Sequence, residues 1–280
     1  MAPISPRIGA HVPVSGGLVR GSLGRADQLG AEVVQIFLAN PRGWAEPKPD
    51  PAADENFRLA CAERGLPVFV HAPYLINFGS PTAETLAKSA GALEFSLRRA
   101  AAVGASGVVV HAGSAVLGNR WDQAMEQVRR HLLELITDEG PRLLIEPTAG
   151  GGGALAADAA SLGAYLEVLD DPRIGVCLDT CHLHAAGHDL STAAGMRAGI
   201  AAVVRQVGRG RIGLVHVNDS RDPVGSKRDR HTGLGAGTIG MDGFAAMFSA
   251  PGLRGVPMVV ETEEAGHAAD IVALKALRAS

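Results

Sequence analysis

No apolar run in this 280-residue chain approaches the roughly 18 residues that a membrane span needs, and its start, MAPISPRIGAHV, has no basic segment followed by an apolar core. A soluble, cytoplasmic protein is expected. Cysteine is scarce and odd in number: Cys61, Cys177 and Cys181. An odd set excludes a fully paired disulfide framework. Reduced thiols packed near a strand end are the reading, with zinc ligation by them as the alternative. Linkers are missing too. The 36 glycines and 16 prolines are spread along the chain without a low-complexity block, so residues 1–280 read as one domain. Excess charge of either sign is also absent. Lys and Arg number 26 against 29 Asp and Glu, a formal −3 that on its face argues against a nucleic-acid partner.

What the chain does have is alternation. Short apolar runs (RIGA at 7, VVQIF at 33, VFV at 68, GVVV at 107, RLLI at 142, GVCL at 175, IGLV at 212, MVV at 258) alternate with longer, alanine-rich stretches of helical spacing. WDQAMEQVRRHLLELITDEG, at 121–140, is one such stretch and ends on a glycine suited to a helix C-cap. Eight strand-helix units in 280 residues match a (β/α)8 TIM barrel. A doubly wound open sheet is the competing fold, but its glycine fingerprint after the first strand is missing. The nearest candidate, AGGGGA at 149–154, follows the fifth run and reads as a flexible loop leading into a helix.

Six of the runs are followed at once by a group able to bind a metal: His71, His111, Glu146, Asp179, His216 and Glu261. In a parallel barrel the C-terminal strand ends converge on one mouth, so residues distant in sequence become neighbours. Each alone has an ordinary explanation, as a bonded core histidine or a helix N-cap. Six together would crowd charge into a confined space unless a cation offset it. HVNDSRDPVGSKRDRH, at 216–231, could be a solvated charged loop, but it contributes Asp229 and His231 to the same inventory, and His182 follows Asp179 closely. These nine groups exceed what one tetrahedral zinc uses and point to a multinuclear centre. Five imidazoles among them favour zinc, manganese or iron over magnesium or calcium.

GAHVPVSGG at 9–17, HAPYLINFGSP at 71–81, VCLDTCHLHAAGHDL at 176–190 and HVNDSRDPVGSKRDRHTGLGAGTIG at 216–240 closely resemble signatures of the endonuclease IV family of apurinic/apyrimidinic endonucleases. The resemblance spans nearly the whole chain. It implies a barrel with three zinc ions, Mn2+ or Fe2+ being possible at some positions, that cuts the phosphodiester 5′ to an abasic site in double-stranded DNA. It implies one zinc on His71, His111 and Glu146, and a second, bridged by Glu146, on Asp179, His216 and Glu261. The third falls to His182, Asp229 and His231. Glu146 and Glu261 are then the catalytic carboxylates, fixing a hydroxide shared by two zincs. Arg42, Tyr74 and Leu75 match the family's wedge positions, which hold open the gap left by a flipped nucleotide.

Three Zn2+ would carry six positive charges against four ligand carboxylates, moving the formal balance from −3 to about +3 and removing the charge objection to DNA. Arg221, Lys227, Arg228 and Arg230 flank the ligands and are candidates for phosphate contacts. One departure stands out. The family usually has Asn after the bridging Glu, and here Pro147 removes an N–H and a side-chain amide, which predicts a tuned site rather than a dead one. Two other classes remain open: a metal-dependent sugar isomerase or epimerase on the same barrel, and a non-catalytic abasic-site binder. A monomer is expected.

Overall fold

Each apolar run becomes one parallel strand in the structure, a computed structural model that describes residues 5–116 and 120–280. The barrel strands are β1 (Ile8–His11), β2 (Val34–Phe37), β3 (Val68–His71), β4 (Gly107–His111), β5 (Arg142–Glu146), β6 (Gly175–Asp179), β7 (Ile212–His216) and β10 (Met258–Val260). They close in the order β1-β10-β7-β6-β5-β4-β3-β2, the (β/α)8 barrel expected from the alternation. A short antiparallel pair, β8 (Asp219–Ser220) with β9 (His231–Thr232), is inserted after β7 and was not foreseen. The N-terminal stretch read for a leader begins in residues 1–4, outside the described residues. No helix among the described residues is long and apolar enough to cross a membrane.

Helices follow the strands where the sequence offers caps. In α2 (Pro51–Arg64) Asp50 accepts from the Ala53 amide at 3.0 Å, Pro51 opens the first turn, and Gly65 ends the helix at φ 58°. Asp158 and Ser161 form a capping box on α5 (Ala159–Leu169). The long α3 (Ala83–Ala102) buries Leu93, Phe95 and Leu97.

Strand periodicity of two divides the core and places the site. Ile8, Ala10, Val34, Ile36, Val68 and Val70 face outward into the larger apolar cluster under the helices. Val33, Phe69, Val109, Leu144, Cys177, Leu214 and Val259 form a separate cluster. Two residues beyond members of this second cluster come Gln35, His71, His111, Glu146, Asp179, His216 and Glu261. The six candidate ligands at strand ends, with Gln35, are thus the uppermost layer of the barrel's inward face, resting on a packed apolar layer. Register keeps them side by side: His111 pairs with Glu146, and Asp179 with His216 after an irregularity at Val176/Cys177.

Closure between β1 and β2 depends on a missing side chain. A Cβ on Gly9 would lie 1.7 Å from the Val33 carbonyl oxygen, a backbone atom with no room to retreat. Gly9→Ala should therefore destabilise at or above the top of the roughly 1–3 kcal/mol usual for overpacking, seen as a lowered thermal midpoint. An unchanged midpoint would show that the two strands can part at no cost.

Candidate metal centre

Glu146, 1% exposed at the end of β5, faces two groups at once. Its Oε2 lies 3.2 Å from His71 Nε2 and 3.5 Å from His111 Nε2. The other oxygen, Oε1, lies 3.1 Å from His216 Nδ1 and 3.2 Å from His182 Nδ1. His216 Nδ1 is also 3.0 Å from Glu261 Oε2 and 3.9 Å from Asp179 Oδ2. A third group forms beside these: Asp229 presents Oδ2 to His182 Nε2 at 3.1 Å and Oδ1 to His231 Nε2 at 2.9 Å. Three ligand sets result, His71–His111–Glu146, Glu146–Asp179–His216–Glu261 and His182–Asp229–His231, in each of which all donor atoms lie within 4.8 Å of one another. All nine residues singled out in the sequence come together. Two further sets of the same tightness include a thiol, Glu146–Cys177–His216 and Asp179–Cys181–His231; all three cysteines are buried and unpaired.

The hydrogen bonds behind these imidazoles fit cations between the donors. His71 Nδ1 donates to the Ala72 carbonyl at 2.7 Å and His216 Nε2 donates to Gln35 Oε1 at 2.8 Å. His182 Nδ1 donates to the Pro147 carbonyl at 3.0 Å. Each neutral ring then aims a lone pair at a carboxylate, an opposition relieved by a shared proton or a metal ion. His182 Nε2 and His231 Nε2 are buried without a hydrogen-bond partner although Asp229 oxygens stand at 3.1 and 2.9 Å, because the approach is off hydrogen-bond geometry. Burial would lower the His182 imidazole, but Asp179, Asp229 and Glu146 reverse this and raise it well above its ordinary range. Burial likewise opposes ionisation of Glu146, and His216, His182 and His71 together hold its carboxyl well below the usual carboxylate range. Desolvation takes His111 down to about 4, keeping it neutral and free to ligate. Oxygen and imidazole donors in this ratio suit zinc, manganese or iron.

Three polar residues that the sequence reading passed over, the buried Gln35 and Asn218 and the half-buried His11, hold the ligands in place. Gln35 Nε2 donates to Glu261 Oε1 at 2.6 Å and to His11 Nδ1 at 2.9 Å, while its oxygen receives His216. Asn218 Nδ2 donates to Asp179 Oδ2 at 2.7 Å and to Glu261 Oε2 at 3.2 Å. His11 lies 3.6 Å from Glu261. It directly follows the run RIGA, as the ligands follow theirs, so the strand-end rule applied to the first strand would have found it. Pro147 loses the second-sphere N–H as expected, yet its carbonyl takes up a second-sphere role by receiving His182.

The expected DNA-facing residues separate into two kinds. Arg42 and Tyr74 line a cavity of about 440 Å³ together with seven of the nine candidate ligands, Asp179 and His216 lying outside its lining. Tyr74 is 42% exposed, stacks on His111 at 5.4 Å and meets Phe37 and His71 edge-on; Leu75 beside it is 36% exposed. The Tyr74 amide donates to the Pro41 carbonyl at 2.9 Å, joining the two loops. Arg221, Arg228 and Arg230 are instead paired with carboxylates, Arg221 with Glu263 at 2.8 Å and the other two with Asp222. The Lys227 side chain has no ionic partner among the described residues.

Comparison with known proteins agrees with this geometry. The family described as xylose isomerase-like TIM barrel matches residues 23–278. The probable endonuclease 4 of Streptomyces avermitilis is 51% identical over 278 residues, covering 97% of this chain and 90% of that protein. The crystal structure of endonuclease IV from Thermus thermophilus superposes with a TM-score of 0.86 at 36% identity, covering 97% of this chain and 98% of that one. A D-tagatose 3-epimerase-like protein shares the barrel with a TM-score of 0.69 over 98% of each chain, but at 17% identity the likeness is of fold alone.

Because Gln35 fixes both the tautomer of His216 and the position of Glu261, Gln35→Ala should weaken metal binding by roughly 10–100-fold while leaving the far-UV spectrum intact. Metal affinity equal to wild type in a competition titration would remove Gln35 from this role.

Proposed function

Since the chain belongs to the endonuclease IV family of apurinic/apyrimidinic endonucleases, a DNA repair family, we propose that it hydrolyses the phosphodiester 5′ to an abasic site in duplex DNA, leaving a 3′-hydroxyl and a 5′-deoxyribose phosphate. The observation that carries this reading is the bridging position of Glu146, whose two oxygens serve two histidine sets while a third set stands alongside. Sugar isomerisation has no evident use for a third set. A purely binding protein has none for nine converging ligands.

Three zinc ions would be held by His71, His111 and Glu146; by Glu146, Asp179, His216 and Glu261; and by His182, Asp229 and His231. Bound there, zinc supplies Lewis-acid stabilisation of phosphate charge and lowers the pKa of water. The chain's own contributions are positional and electrostatic. Glu146 and Glu261, held well below the usual carboxylate range by the surrounding imidazoles against the opposing effect of burial, stay ionised throughout the neutral range. Gln35 and Asn218 fix Glu261 from either side, so the carboxylates need no reorganisation when charge develops on the phosphate. Arg42, on the cavity wall, suits the incoming phosphate by charge. Tyr74 and Leu75, both exposed, would fill the gap left in the base stack when a nucleotide is flipped out. Lys227, whose side chain has no ionic partner among the described residues, is the cation of the 221–230 loop that we assign to a flanking phosphate.

The test is a zinc-loaded preparation incubated with a duplex carrying one tetrahydrofuran abasic analogue and, separately, with a panel of free sugars. A single nick on the 5′ side with a polymerase-extendable 3′ end is expected, together with unchanged sugars. Glu261→Gln should lower kcat by about two orders of magnitude or more without altering the far-UV spectrum. An intact duplex with wild-type protein, or turnover of a sugar, would overturn the reading.

A further inference from the structure

We propose that Asp222, acting through Arg230, is a positioning residue that shapes the His182–Asp229–His231 set in advance of its ion; this rests on the three-metal reading above. Asp222 follows β8 and is only 5% exposed, although it is charged and lies in a loop rich in polar residues. Its carboxylate takes Arg230 in a two-pronged pair, Nε on Oδ2 at 2.6 Å and Nη2 on Oδ1, with Arg228 Nη1 at 3.5 Å as a weaker third contact. Such a fork on a buried carboxylate fixes direction as well as distance.

Arg230 lies between two of the candidate ligands. Asp229 and His231 both turn toward His182, whose ring lies 5.7 Å from that of His231, while Arg230 turns away to Asp222. Holding the middle side chain from behind therefore sets the direction of the two beside it. The Asp229 carboxylate has no partners among the described residues other than the two imidazoles, and its side chain is 51% exposed. Its position depends on the chain around it. That chain is fixed from Asp222 outward: Ser220 Oγ donates to the Asp222 carbonyl at 2.9 Å and Thr238 Oγ1 donates to the same oxygen at 2.6 Å. Arg221 completes the clamp, its amide donating to the Arg230 carbonyl at 3.0 Å and its Nε to the His231 carbonyl at 2.9 Å. Across the loop, the amides of Gly225 and Lys227 donate to the carbonyls of His184 and Ala185 on α6 (Thr180–Ala185), the helix that carries His182. Both halves of this ligand set are thereby tied to one frame, and Arg230 works as part of it.

Zinc bound per chain, measured by elemental mass spectrometry across a series of buffered free-zinc concentrations, tests this in wild type, Asp222→Asn and Arg230→Gln. Wild type should fill about three sites. Both variants should fill two at wild-type zinc levels and need roughly tenfold or more free zinc for the last, with an unchanged apo-protein melting temperature. Should Asp222→Asn fail to fold, Arg230→Gln decides alone, since that side chain is half exposed. Variants that fill all sites like wild type would overturn the inference, as would a weakening spread evenly over every site, which marks general structural support. A wild type that never exceeds two zinc ions would overturn the three-metal reading itself, and this inference with it.

Discussion

Everything at the barrel mouth depends on one carboxylate that is almost wholly shut off from solvent. Glu146 is 1% exposed, yet its oxygens lie within 3.5 Å of imidazole nitrogens from β3, β4, β7 and α6. An isolated buried carboxylate would take up a proton; this one is kept anionic by the rings around it. His71 and His216 commit their outer nitrogens to Ala72 and Gln35, so the nitrogen each turns to Glu146 carries either a proton, which holds the carboxylate anionic, or a lone pair set against it. Cations between the donors would convert that opposition into attraction, and the oxygen and imidazole donors gather into three sets able to hold them.

The barrel supplies what this arrangement needs and little else in the fold has to. Period-two strands lift one inward side chain from each of six strands into a single layer, and the apolar layer of Phe69, Val109, Leu144, Cys177, Leu214 and Val259 beneath stops that layer from sinking. Residues on strands of a closed barrel move little, which suits a centre whose geometry must pre-exist its substrate. The third ligand set lies outside that layer. Asp229 and His231 come from an inserted loop, and its rigidity comes from local devices: the β8–β9 pair, the Asp222 hub and the bonds to α6.

The strand-end pattern made the barrel and six of the nine candidate ligands legible in the sequence, because side chains that must share a mouth follow runs that must share a barrel; His182, Asp229 and His231 follow no barrel strand and came from the segments beside those ligands and from the family motifs. What stayed hidden was whatever depends on partners rather than on position. Gln35 is a neutral polar residue inside VVQIF and reads as ordinary strand alternation; only the structure gives its amide three partners. Asn218 was within view in HVND but carried no metal-binding chemistry to draw notice. The pairing of Arg228 and Arg230 with Asp222 could not be read either, because nothing in a linear sequence says that Asp222, several residues away, is buried and faces them. Pro147 was read for the N–H it lacks, when the carbonyl it keeps is the group that acts on His182.

The proposed chemistry stands on three ions occupying three definite places beside Glu146. Crystals of zinc-loaded protein measured at the zinc absorption edge test it most directly, since anomalous peaks report ions without reference to activity. The account predicts three peaks per chain, one at His71–His111–Glu146, one at Glu146–Asp179–His216–Glu261 and one at His182–Asp229–His231. A single peak, or peaks held by Cys177 or Cys181 in place of these ligands, would contradict it.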